Sequence, residues 1–232
     1  MRADEWDARY REAAANHGGA LWHSEPSPDL VAIVSALDPA RALDLATGDG
    51  RNALWLAERG WVVTGVDSST AGLAIAADRA AASELEIEWV VGDALDWTPA
   101  ELFDLVTITY LQLPEPDLAA VIGRVAGWLV PGGRMLVIGH DRSNLGTGAP
   151  GPRDPAVLHT AEQLERAARA AGLTVLESRT VERHAAELAH PGEPHASGPA
   201  IDTLLLAVSD IDSEADAEPD PGAGSEPGSG DH

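Results

Sequence analysis

No cysteine and no lysine occur among the 232 residues. The first absence excludes a disulfide framework, a thiol nucleophile and a cysteine metal site. The second leaves 15 arginines to carry the fixed positive charge, which beside abundant alanine reads as a high-GC coding bias. Against 38 acids they give a formal net charge of -23. Duplex binding needs cationic side chains that displace counterions from phosphate, so a nucleic-acid partner is not expected. No apolar run approaches the roughly 20 residues that cross a bilayer, and the charged start "MRADEWDARYREAAANHGG" lacks the apolar core of a secretory signal. A cytoplasmic protein with no membrane partner is expected. With 44% apolar residues the chain can fill the core of one domain.

From Asp210 the sequence runs "DIDSEADAEPDPGAGSEPGSGDH", with eight acids and almost no large apolar residue. Such a segment cannot bury enough surface to offset its ordering entropy, so residues 210–232 read as a disordered acidic tail on a domain spanning 1–209. Removing those eight acids from -23 still leaves the body at -15. Inside the body, the apolar runs "ARALDLA", "WVVTGVD", "IEWVVGD", "FDLVTITYL" and "RMLVIGH" alternate with helical patterns in "RNALWLAERG", "STAGLAIAADRAA" and "DLAAVIGRVAGWLV". Runs without polar alternation fit strands covered on both faces, hence a doubly wound, mostly parallel α/β sheet. "LTVLESRTVERH" and "AIDTLLLAVSD" follow one another with no helical pattern between, which predicts an antiparallel pair at the sheet edge.

The first strand leads into "DLATGDGRNA". A βα turn at the carboxyl end of such a strand is where doubly wound sheets bind nucleotides. Gly48 and Gly50 let the backbone bend there and approach a ligand. "GDGRNA" can be fitted to the GxGxxA dinucleotide pattern, with Asp67 seventeen residues after Gly50 to hold a ribose diol. On the glycines alone a dinucleotide and a smaller nucleoside both remain open. Three other features count against a pyrophosphate. Asp44, four residues before Gly48, puts a carboxylate beside the turn, where with Asp49 it would repel phosphate and receive a cationic amine. "VVGDAL" ends the third strand with Asp93, an acceptor for an exocyclic adenine amine, and the Ala94 amide can serve a ring nitrogen. "WLVPGGRMLVI" places a Pro-Gly-Gly turn before the fifth strand.

The ordered set "DLATGDG", "GVDSS", "GDALDW", "FDLVTITYLQL" and "LVPGGRMLVIG" resembles the class I S-adenosylmethionine-dependent methyltransferases. "GDGRNALWLAERGWVVTGVD" and the opening "WDARY" look most like the branch that contains tellurite-resistance and thiopurine S-methyltransferase-like enzymes. The resemblance implies a seven-stranded Rossmann-like sheet with an antiparallel last strand. It also implies S-adenosylmethionine as cofactor and methyl transfer to a small-molecule acceptor. Carried over by position, it sets Asp44, Ala46, Gly48 and Gly50 around the methionine part, Asp67 and Ser68 at the ribose, and Asp93 and Ala94 at the adenine. Thr109 and Tyr110 would face the sulfonium, and Trp22 would close over the site. Ala46 departs from the family's DxGxGxG pattern, which has glycine there.

Methyl transfer is an in-line displacement, so positioning supplies much of the acceleration. A thiolate, selenide or telluride hardly needs a base, whereas an alcohol or protonated amine does. "TITYLQLP" lacks the (D/N/S)PP(Y/F) stretch used on planar nitrogens, which counts against nucleobase and amide acceptors, and the branch resemblance implies a thiol or other chalcogen nucleophile. The base candidates are His140 and Asp141 in "GHDRSN", beside Tyr110 at the neighbouring strand end. Arg142 and Arg153 in the following Gly-Pro-rich loop can attract an anion, and the loop itself reads as a lid. His184, His190 and His195 match no zinc spacing, so no metal is expected. Two rival readings stay open: a non-catalytic module that senses S-adenosylmethionine, and a nicotinamide-dependent oxidoreductase.

Overall fold

Four of the five apolar runs become neighbouring strands buried from both sides, and the fifth, Ile87–Val91, lies half-exposed at the sheet edge. A computed structural model describes residues 3–16, 25–147, 151–183 and 199–210. Trp22, the three histidines 184, 190 and 195, and the acidic stretch 211–232 lie outside the described residues. Two helices precede the sheet, α1 (Ala3–Asn16) and α2 (Pro28–Val34). There follow β1 (Arg41–Leu45), α3 (Arg51–Glu58), β2 (Val62–Asp67), α4 (Thr70–Ala82), β3 (Ile87–Val91) and β4 (Phe103–Thr109). The chain continues through α5 (Glu115–Ala126), β5 (Leu129–His140), α6 (Asn144–Thr147), α7 (Ala161–Ala170), β6 (Thr174–Arg183) and β7 (Ala200–Val208).

One seven-stranded sheet has the order β3-β2-β1-β4-β5-β7-β6. The first five strands are parallel, and β7 runs antiparallel between β5 and β6. The antiparallel C-terminal strand expected from the sequence thus lies one place in, with β6 outermost. Successive residues of the central strands face opposite ways into two fully buried clusters. Leu43, Val106, Met135 and Val137 pack under α5 and α7, whereas Ala42, Leu105, Leu136 and Ile138 pack under α2 and α3. This two-sided burial is why the runs lack polar alternation. The Pro-Gly-Gly segment lies inside β5, where the β4 register shifts between Phe103 and Leu105. A side chain at Gly133 would stand 2.8 Å from the Val130 carbonyl and 2.9 Å from that of Phe103.

Because β1 pairs with β2 on one side and β4 on the other, the chain leaves these strands toward opposite faces and opens a crevice at their carboxyl ends. The helix α1 closes one flank of it. The Asp7 carboxylate accepts from the Ser69 hydroxyl (2.6 Å), the Thr70 hydroxyl (3.2 Å) and the Ala71 amide (3.0 Å) at the start of α4. These bonds, led by the one from Ser69, hold the Asp7 carboxyl below its usual range.

Candidate active site

Between β1 and α3 the backbone turns through three left-handed residues: Ala46 (φ 62°), Gly48 (φ 60°) and Gly50 (φ 80°). At Gly50 a Cβ would stand 2.8 Å from Ala76 Cβ and 2.9 Å from the Trp89 ring, so both conformation and space demand glycine. Ala46 adopts the same region with a Cβ, which costs on the order of 1–2 kcal/mol. Ala46→Gly removes that strain and loses part of the gain to the looser unfolded chain. We expect a net stabilisation of about 0.5–1 kcal/mol, seen as a higher urea midpoint at unchanged slope; an unchanged or lower midpoint would show that the turn carries no strain at Ala46.

Three carboxylates surround this turn. Asp67, half-buried at the end of β2, accepts from the Gly48 amide through one oxygen and the Ser69 amide through the other, both at 2.8 Å. A carboxylate offers about four lone-pair sites, so two remain for a ligand's hydroxyls. Ser68 is half-buried beside it. Asp44 is fully buried, its oxygens taken by the Thr47 hydroxyl (2.6 Å) and the Thr107 hydroxyl (2.7 Å). Asp44, expected to receive a cationic amine, thus lies behind the turn with one threonine hydroxyl on each oxygen. Burial pushes its carboxyl up to about 6 against the pull of those hydroxyls. Asp49 is turned toward Arg79 on α4 (3.4 Å). Burial raises the Asp49 and Asp67 carboxyls as well.

The end of β3 presents Asp93, exposed, with one oxygen held by the Leu95 amide (2.9 Å), and Ala94, buried beside it. The carbonyl of Ala94 accepts from Arg124 (2.8 Å). On the other flank, Thr109 at the end of β4 accepts from the Asn52 side-chain amide (2.8 Å), whose oxygen in turn accepts from the Ser27 amide (3.1 Å). Asn52 thereby ties the glycine turn's helix to β4 and to the segment before α2.

Next to Thr109, Tyr110 has φ 57°, an outlier for a bulky side chain. Several contacts hold it there. Its amide donates to the Ile138 carbonyl (2.7 Å) and its hydroxyl to Asp202 Oδ2 (2.6 Å). The ring lies 4.9 Å from that of His140, and the guanidinium carbons of Arg51 and Arg183 each stand 5.3 Å from its centre. Burial first, then the negative charge of Asp202, pushes the Tyr110 phenol well above its usual range. Arg183 on β6 meets Asp202 Oδ2 through Nε (2.6 Å) and His140 Nδ1 through Nη2 (3.1 Å). Asp141 does not join the cluster: one of its oxygens accepts from both the amide and the hydroxyl of Ser143. Arg142 is likewise occupied, by the Leu158 carbonyl.

The structure therefore brings the expected residues to two ends of one crevice, Gly48, Gly50, Asp67 and Asp93 at one and Thr109, Tyr110 and His140 at the other. Sequence reasoning missed Arg51, Asn52, Arg183 and Asp202. Asp202 carried a signal, a lone acid in the apolar run "AIDTLLLAV"; Arg183 carried none.

Strand order, the left-handed turn and the acid at the end of β2 define the Rossmann-like fold of the class I methyltransferases. Residues 42–133 match the family described as a methyltransferase domain. The chain is 42% identical over 103 residues to the demethylmenaquinone methyltransferase of Thermus thermophilus, a stretch that is 43% of this chain and 47% of that protein. It spans about half the length of the curated relatives it matches. Among solved structures, one described under the conversion of a disulfide bond into a thioacetal group during echinomycin biosynthesis superposes with a TM-score of 0.70 at 25% identity, covering 92% of this chain and 94% of the other. TehB from Haemophilus influenzae superposes with a TM-score of 0.64 at 19% identity, covering 87% and 67%. No helix among the described residues is long and apolar enough to cross a membrane.

Proposed function

We propose that the protein transfers a methyl group from S-adenosylmethionine to a small-molecule acceptor. The observation that carries this reading is the set of carboxylates Asp44, Asp49 and Asp67 around the turn, three acids against the two guanidinium groups of Arg51 and Arg79. A pyrophosphate would be repelled there, and a cationic nucleoside favoured. The residues fit such a ligand: Asp67 keeps lone pairs for a ribose diol, and Asp93 is an exposed acceptor for an adenine amine. Bound there, S-adenosylmethionine would supply an electrophilic methyl on sulfur. The chain's part is to orient and to exclude water. Asp67 holds the turn to β2, Asn52 fixes Thr109 against it, and Tyr110 forms the wall at the end of β4.

An acceptor that needs no protein base suits this wall, because the Tyr110 hydroxyl donates to Asp202 and Asp141 is engaged by Ser143. A thiol or other chalcogen nucleophile meets that requirement, in keeping with the resemblance to the tellurite-resistance branch. Parallel calorimetric titrations with S-adenosylmethionine, S-adenosylhomocysteine and NAD test the reading. Binding of the first two alone is expected; binding of NAD alone would overturn it.

A further inference from the structure

We infer that the acceptor is a small anion whose nucleophilic atom itself carries the negative charge, seated against Arg51 with His140 as a hydrogen-bond donor. The inference rests on the methyl-transfer reading above and narrows it.

Arg51 opens α3 beside the glycine turn, half-buried, with its guanidinium against the Tyr110 ring. Among the described residues it forms no ion pair, whereas Arg79, Arg179 and Arg183, also partly buried or half-exposed, each meet a carboxylate. Its charge acts on Asp44 and Asp49, yet those carboxylates are turned to Thr47 and Thr107 and to Arg79. A guanidinium cannot shed its proton, and contact with a ring face leaves its N–H edge available for an anion. In a body of net charge -15, this cation marks where an anion is stabilised.

His140 supports the same conclusion through its tautomer. Arginine only donates, so the 3.1 Å contact from Arg183 makes His140 Nδ1 an acceptor and leaves the ring proton on Nε2. Asp202 Oδ1, 3.4 Å from the same nitrogen, makes no hydrogen bond to it. His140 thus offers an N–H and has no lone pair free for a substrate proton. Arg183 and Asp202 are positioning residues: they fix His140 and Tyr110 without facing a substrate themselves.

With no base among Tyr110, His140 and Asp141, the acceptor arrives deprotonated. Its charged atom forms the bond to the methyl carbon, the carbon–sulfur bond breaks with its electron pair left on sulfur, and no proton changes place. Carboxylates and thiolates share this chemistry.

The test uses the full chain with radiolabelled S-adenosylmethionine and four probes of one shape: benzoate, thiophenolate, benzyl alcohol and benzylamine. Label is expected in an anionic probe and not in the other two. Mild base separates the sources, since a methyl ester releases methanol and a thioether does not. Arg51→Gln is expected to raise the KM of the methylated anion at least tenfold with kcat changed less than threefold. Calorimetric affinity for S-adenosylhomocysteine should stay within twofold, which also shows that the variant folds. Nitrogen-15 spectra should show His140 protonated at Nε2, and Arg183→Met should abolish that preference. Label only in benzyl alcohol or benzylamine, an unchanged KM in Arg51→Gln, or no transfer to either anion by protein that binds S-adenosylmethionine would overturn the anionic acceptor. Failure to bind S-adenosylmethionine would overturn the methyl-transfer reading instead.

Discussion

Asp67→Ala is expected to weaken S-adenosylmethionine binding by on the order of 1.5–3 kcal/mol, roughly ten- to hundredfold, the range for hydrogen bonds to a charged group. The carboxylate serves two purposes at once. It holds the Gly48 and Ser69 amides at 2.8 Å and keeps lone pairs toward the crevice. Truncation orphans both amides, so the turn loosens as the ribose loses its acceptor. Asp67→Asn separates these effects poorly, since its amide would confront the Gly48 N–H donor to donor, and a similar loss is expected. Calorimetry on folded protein decides the matter: affinity unchanged within twofold would remove Asp67 from the ligand's surroundings.

Asp44→Asn should stabilise the protein, and the gain should depend on pH. The Asp44 carboxyl is raised from 3.8 to about 6 in the folded chain, so folding favours its protonated form. The stability this confers is complete below pH 4 and lost as pH rises through 6. Asparagine mimics the neutral acid at every pH, with one threonine hydroxyl donating to its oxygen and the other accepting from its amide. The expected gain is about 3 kcal/mol at pH 8 and about 1 kcal/mol at pH 4.5. For a chain of this size the larger value corresponds to roughly 6–12 °C in Tm. Thermal unfolding at the two pH values checks it, and equal shifts at both would mean that Asp44 does not carry the buried charge.

The strands were legible because two-sided burial writes itself as unbroken apolar runs, and the turn because Gly48 and Gly50 follow the first run at once and Asp67 closes the second. The orientation of Asp44 was not legible, since nothing in "DLATGDG" says that Thr47 and the distant Thr107 will take both oxygens. The helix α7 escaped notice although "TAEQ" spells its capping box, with the Thr160 hydroxyl on the Gln163 amide and the Gln163 side chain on the Thr160 amide. Of the cluster around Tyr110 only His140 was legible: Arg51, Arg183 and Asp202 come from three other segments, joined to it by the order of the strands. Anion attraction was sought in Arg142, whose guanidinium the Leu158 carbonyl occupies, while the cation against the Tyr110 ring stood unnoticed inside the glycine motif.

The partners that hold Tyr110 at φ 57° also set a timetable. Everything around the glycine turn, from Asp44 to Asp93, leaves the ribosome well before Arg183 and Asp202, which arrive with the last hairpin. Chains fold from the N-terminus as they are made, so the nascent protein has the makings of its glycine turn while Tyr110 still lacks the carboxylate that holds its hydroxyl. Until β7 slots between β5 and β6, Tyr110 has the Ile138 carbonyl, His140 and Arg51 but neither the Asp202 carboxylate nor a seated Arg183, so this end of the crevice is the last to be completed.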